Sequence, residues 1–321
     1  MASFLLVFYA AALRFWGLVY VEPWEPVGAG ILADWVYAQV GQSGIIPSII
    51  ATLLIFIEGW MLNGLVLRNR LGKEANLFPG VFFILICSVL PPFLHLSPLH
   101  LANFFYILAL FELLGIYKKT NCATNLFNSG LWIALGSMFY PSYLALFLLT
   151  IVVINTLRSL KLGDLLIVLS GILVPYIYTV AYYYWNDKLA WFLGEQFPFH
   201  FGIPELHLPD PVLYYISIVF FSLLLLVALF SWGGFLMKNI IQVQKKINIL
   251  YLAIILSVVA PFLVDQVSID ILLYLAVPLS VLTSFNFTNM PGQRAEVIHL
   301  IWVAGLLYFH FLVFSGSFGF G

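Results

Sequence analysis

Eleven apolar runs, at roughly 3–21, 45–67, 79–94, 99–117, 126–140, 143–157, 164–185, 212–235, 248–264, 270–287 and 296–314, take up most of this sequence. Short polar turns between them hold most of the charge. A membrane-crossing helix needs about 20 apolar residues, fewer where the helix tilts or the bilayer thins. Hydrocarbon offers backbone groups no hydrogen-bond partners, so a spanning segment must satisfy its own N–H and C=O groups. The expected fold is therefore all-α: one polytopic transmembrane helical bundle over 1–321, with about 11 spans (10–12). Charged residues make up 8% of the chain, against about 25% in soluble domains, too few to coat a globule of this size. A net charge of −1 argues against nucleic acid as a partner.

Basic residues set the orientation. Between the runs, the even-numbered loops hold Arg68, Arg70, Lys73, Lys118, Lys119, Arg158, Lys161, Lys238, Lys245, Lys246 and Arg294, and the odd-numbered loops hold Lys188 alone. Cytoplasmic loops carry the excess of Lys and Arg, which predicts a cytoplasmic N-terminus and an external C-terminus. The first run lacks a basic leader and contains Arg14, so it reads as a retained span rather than a cleaved signal. The 126–157 hairpin is short for two crossings and is equally well read as re-entrant, which leaves the parity unchanged. Cys87 and Cys122 fall at different depths, so no disulfide is expected.

Two outer loops are long enough for structure of their own. Residues 28–40 place Ile31, Leu32, Trp35 and Val36 on one helical face, an amphipathic helix lying in the outer interface. The second, 186–211, follows an aromatic anchor, Tyr182-Tyr183-Tyr184-Trp185.

Charge inside the apolar runs points to candidate sites. Arg14 and Glu58 lie about eleven and nine residues from the cytoplasmic ends of their helices, so their levels differ by about 3 Å. A buried ion pair between them would relieve the cost of both, either as a structural pin or as part of a substrate site. Outside, Glu22, Glu25 and Asp34 could supply a general base or, in an enzyme, hold a divalent metal. His200, Glu205, His207 and Asp210 form a second such cluster. A solvated rim explains these groups as well, and none has the spacing of a metal motif. No Walker A, GxGxxG, GxSxG or HExxH pattern is present. Nor does the sequence suggest a chain of ionisable residues buried across many helices.

The opening Ala12-Leu13-Arg14-Phe15-Trp16-Gly17, then Glu22-Pro23-Trp24-Glu25-Pro26, the 28–40 helix and Ile45-Ile46-Pro47 resemble the first two spans of the GT-C glycosyltransferases. In those enzymes an Arg-bearing helix end leads into an acidic outer loop, an interfacial helix and a second span. The resemblance covers about 60 residues. It implies a GT-C-like N-terminal arrangement, a polyprenyl-phosphate sugar as donor, Glu22 or Glu25 as base or metal ligand, and Arg14 or Lys188 as the phosphate contact. The expected Asp of the family's acidic pair is replaced by Glu25-Pro26, and proline removes a backbone donor there. The segments 94–103 (Leu-His-Leu-Ser-Pro-Leu-His-Leu-Ala-Asn), 127–130 and 136–141 resemble an uncharacterised family of multi-pass envelope proteins of Gram-negative bacteria, which implies an inner-membrane location.

Two functions follow as expectations. One is a non-catalytic inner-membrane subunit of an envelope assembly or secretion complex, built on a degenerate GT-C-like scaffold, with the lipid bilayer and other membrane proteins as partners. The other is a GT-C-like transferase acting on a polyprenyl-linked lipid at the outer face. A transporter is a weaker third, since no repeat is visible.

Overall fold

The computed structural model describes residues 5–19, 26–72, 76–197, 204–207, 211–264 and 266–315. Fourteen α-helices occur among them, in the order α1 (Leu5–Leu13), α2 (Phe15–Val19), α3 (Ile31–Val40), α4 (Ile45–Arg68), α5 (Phe78–Ile86), α6 (Pro98–Leu114), α7 (Ala123–Phe139), α8 (Leu146–Leu157), α9 (Leu162–Trp185), α10 (Leu189–Gln196), α11 (Pro211–Lys238), α12 (Ile241–Val259), α13 (Ala276–Thr288) and α14 (Gly292–Phe314). The strands β1 (Glu205–His207) and β2 (Gln266–Ser268) pair in parallel, with Leu206 opposite Val267.

Among the described residues six helices are long and apolar enough to cross a membrane: Ile45–Arg68, Leu162–Trp185, Tyr215–Phe235, Ile241–Leu263, Ile269–Thr288 and Gly292–Phe314. The all-α membrane class therefore holds. The other expected spans are shorter or interrupted. The first is divided at Arg14 into α1 and α2, the third stops at Ile86, and α7 has only 17 residues.

Proline decides where several of these helices stop. A proline has no N–H to give and its ring disfavours helix at the residue before it. Pro91, Pro141 and Pro261 each sit at the start of a 3₁₀ turn, at Pro91–Leu94, Pro141–Ala145 and Ala260–Leu263. These turns tip three hairpins, α5–α6, α7–α8 and α12–α13, the last completed by a 3₁₀ stretch at Ile269–Leu275. The tips meet: 91–94 touches 269–275, and 141–145 touches 260–263. We call this the tip end, and the end holding Arg68, Lys118, Lys119, Arg158 and Lys245 the basic end.

Small residues bring the helices into backbone contact, the means by which membrane helices associate where the surrounding lipid is as apolar as their side chains. A Cβ on Gly80 of α5 would lie 2.4 Å from the Gly59 carbonyl of α4, and one on Gly130 of α7 would lie 2.1 Å from the Val168 carbonyl of α9. Burial is uneven around this core. Within the apolar window of Ile269–Thr288 78% of residues are buried, against 6% for Gly292–Phe314, so most of α14 is exposed or half-buried.

The interfacial helix forms as α3. Ile31, Ala33 and Tyr37 are buried while Trp35 is 63% exposed. Gly30 fixes this rotation. Its N–H donates to the Phe139 carbonyl at 2.8 Å, so close that a Cβ there would strike the Met138 carbonyl. The Tyr37 hydroxyl then donates to the Leu96 carbonyl at 2.8 Å. Glu112 accepts from the Asn125 amide. Asp164 lies in the first turn of α9 and pairs with Arg158 at 3.6 Å.

Candidate functional site

Because α5 ends about halfway through an ordinary span, the residues after it must cross membrane depth without helical hydrogen bonds. Such backbone is tolerated only where protein buries and satisfies it. Arg14, 1% exposed at the α1–α2 junction, does this. Its Nη1 donates to the carbonyls of Cys87 at 3.0 Å and Phe93 at 2.9 Å, and its Nη2 donates to that of Leu94 at 2.7 Å. Those oxygens close α5 and the 3₁₀ turn, where a positive charge also suits the negative helix end. The planar guanidinium alone among side chains offers donors in this fixed fork.

Glu58 of α4 lies fully buried within electrostatic reach of Arg14. The expected ion pair does not form: the two groups do not come within 4.0 Å, and neither Glu58 oxygen has a hydrogen-bond partner. Arg14 has already committed both terminal nitrogens to backbone carbonyls. Side-chain depth was legible in the sequence, but competition from a broken helix was not.

A wider polar region surrounds this pair, contrary to the expectation that no ionisable groups are buried across several helices. His100 (α6), Asp270 and His310 (α14) are each at most 1% exposed. Ser97 caps α6 with His100 in a reciprocal capping box, and its hydroxyl also bonds Asp270. Asn103 bridges elements, donating to the Leu273 carbonyl at 3.0 Å and accepting from the Tyr143 hydroxyl at 2.7 Å. Tyr143 packs on Tyr274 with ring centroids 4.2 Å apart.

Two cavities flank α10 at the tip end. One, about 340 Å³, is lined by Pro26, Gly28, Asp34, Glu195 and Gln266 among others. It brings together carboxylates from α3 and α10, segments far apart in sequence. Partial burial, and secondarily the Glu195 charge, raises the Asp34 carboxyl above its ordinary range. The other cavity, about 450 Å³, is lined by Tyr182, Tyr183, Asn186, Lys188 and Trp191. Between them Gln196 is 1% exposed. Its amide donates to the Ser137 carbonyl at 2.8 Å and accepts from the Ile31 N–H at 3.5 Å. This residue, which seats α10 against α3 and α7, carried no sequence signal beyond its position after Glu195.

Of the residues singled out from sequence, Asp34 and Lys188 thus line neighbouring cavities, while Arg14 and Glu58 lie in the buried core. Glu22, Glu25, His200 and Asp210 fall outside the described residues. No group of three or more metal-ligating side chains occurs among the described residues. No protein family, curated protein or solved structure matches this chain.

Proposed function

We propose that the chain acts at the outer face of a bacterial inner membrane on a lipid-carried polar substrate, as a GT-C-like transferase. The observation that carries this reading is the shared cavity of Asp34 and Glu195. Two carboxylates from different segments line one small cleft, and a general base must stand within hydrogen-bond reach of its substrate. Lys188, in the adjoining aromatic-lined cavity, supplies a cation for a phosphate, and Tyr183 and Trp191 supply flat apolar faces for a sugar. Arg14 leaves the list of phosphate contacts, since its donors hold backbone carbonyls. The proposed orientation puts the basic end in the cytoplasm and the tip end outside.

A purified sample in lipid nanodiscs, given a polyprenyl-phosphate sugar, tests the reading. Binding or turnover lost in Asp34→Asn, Glu195→Gln and Lys188→Gln supports it, and wild-type behaviour in all three removes it. Single cysteines at Gln42 and Glu195, both exposed at the tip end, against one at Lys119, test the orientation with an impermeant thiol reagent in a background without Cys87 and Cys122.

The second reading is a non-catalytic subunit of a larger envelope assembly. The outward apolar surfaces of α9, α11 and α14 favour it, with Trp185 87% and Phe230 86% exposed. Lipid alone covers such surfaces equally well. Stoichiometric co-purification of another membrane protein, lost on substitution of Phe230, would favour the subunit.

A further inference from the structure

The polar core leaves one group without a role. Glu58 is fully buried midway along a membrane-length helix, and no donor among the described residues satisfies either of its oxygens. Burying an uncompensated carboxylate costs several kcal/mol, and an apolar residue at the Gly59–Gly80 contact would carry no such penalty. Glu58 also lies within electrostatic reach of other ionisable groups. Arg14 faces it from the α1–α2 junction, the Cys87 thiol from the end of α5, and Tyr143 from the tip of α7–α8. Beyond these, His100 on α6 and His310 on α14 lie within reach of the Arg14 charge. The titratable Tyr9 of α1 is already bonded to His299 at 3.0 Å, and α2 and α13 contribute no titratable side chain.

Several of the surrounding polar atoms are buried and unpartnered as well: Ser88 Oγ, His100 Nε2, Tyr106 OH, Tyr274 OH, Ser142 Oγ and Asp270 Oδ1. They are not scattered. Tyr274 and Tyr106 pack with Tyr143, Tyr143 meets Tyr140 edge to face, and the Tyr140 ring adjoins Gly28 at the 340 Å³ cavity. Asp270, Ser97 and His100 form a hydrogen-bonded run beside them. A few buried polar atoms without partners are ordinary in a folded protein, but a concentration in one region calls for an explanation.

We propose that Glu58 is a proton-binding site: its carboxyl gains and loses a proton within the membrane. The ligand class is the proton itself. The adjoining Arg14 charge disfavours a metal cation in the same place. On uptake one O–H bond forms at Glu58 and one breaks at the hydronium of the acidic buffer that delivers the proton, leaving water, so no oxidant or reductant is needed. This inference does not rest on the transferase reading, since Glu58 is remote from Lys188 and the test requires no substrate.

The test uses the full chain in lipid nanodiscs. Infrared difference spectra between acidic and alkaline buffer should contain a protonated-carboxyl band that isotope-labelled glutamate shifts. The band should vanish in Glu58→Gln and persist in Asp34→Asn and Asp270→Asn. A membrane-soluble carbodiimide, which adds across a protonated carboxyl to leave an N-acylurea, should modify Glu58 at acidic pH, with the adduct lost at alkaline pH. If Glu58→Gln fails to accumulate, the isotope-edited spectrum and the adduct map of the unsubstituted protein decide. A glutamate band that does not change with pH, or one that survives in Glu58→Gln, overturns the proposal.

Discussion

Arg14 and Lys188 mark two regions that put a cation to opposite uses. In the core, both terminal nitrogens of Arg14 are spent on three carbonyls freed by the end of α5. Beside α10, Lys188 is exposed, and no hydrogen bond or ion pair holds its ammonium among the described residues. From sequence both were candidate phosphate contacts. The difference shows that a cation inside a membrane fold is claimed first by whatever backbone the fold leaves unsatisfied. Only a cation beyond that demand stays available to a ligand.

The sharpest way to break this comparison is Arg14→Ala. Three buried carbonyls would lose charge-assisted partners, and unsatisfied buried groups cost about 1–3 kcal/mol each. The variant should lose roughly 3–5 kcal/mol of stability, on the scale of breaking a buried charged contact. Arg14→Lys should recover little of it, because an ammonium cannot span the fork. Size-exclusion profiles and thermal melts in detergent measure both, and a wild-type melt for either variant would show that the seat is not structural.

Gln196→Ala comes next. It strips the Ser137 carbonyl and the Ile31 N–H of their shared partner and should cost about 1–3 kcal/mol. The same melts should show a smaller drop, with the cavities beside α10 loosened. In contrast, Lys188→Gln should leave stability within about 0.5 kcal/mol of wild type while removing binding of a lipid-linked phosphate. Loss of stability there would mean Lys188, too, is claimed by the fold.

The smallest effect concerns Asp34. Its carboxyl is raised first by partial burial and second by Glu195. The folded state thus holds this proton more tightly than the unfolded chain. The group favours folding at acid pH and loses that contribution as pH rises through its folded midpoint. Glu195→Gln should lower the midpoint toward the ordinary aspartate range without reaching it, readable by NMR of labelled aspartate. An unmoved midpoint would separate the two carboxylates electrostatically.

The sequence showed much of the fold because hydropathy and proline are local signals. The α4 and α9 segments appear nearly where expected, and the 3₁₀ tips fall at prolines. Glu58 and Arg14 were legible as buried charges at matching depth. Their failure to pair was not legible, because it depends on carbonyls 73 to 80 residues away. The buried face of α3 was not legible for a related reason: Gly30 turns the helix against Met138 and Phe139, a long-range contact that helical periodicity does not encode. Burial of His100 and Asp270 was not legible because each stands next to a loop, and hydropathy does not show whether a loop is wet or packed. Here the loops are themselves packed tips, joined by Ser97.

The seat of Arg14 also sets an order of assembly. The guanidinium leaves the ribosome before any of its three acceptors has been made, since Cys87, Phe93 and Leu94 lie 73, 79 and 80 residues downstream. During that interval the first helix carries a charge it cannot settle in hydrocarbon, so it should linger at the interface or beside the insertion machinery. The arrival of the α5–α6 hairpin then releases it inward. Insertion of the N-terminal helix is on this account a late event, timed by a proline-terminated turn that the chain has yet to synthesise.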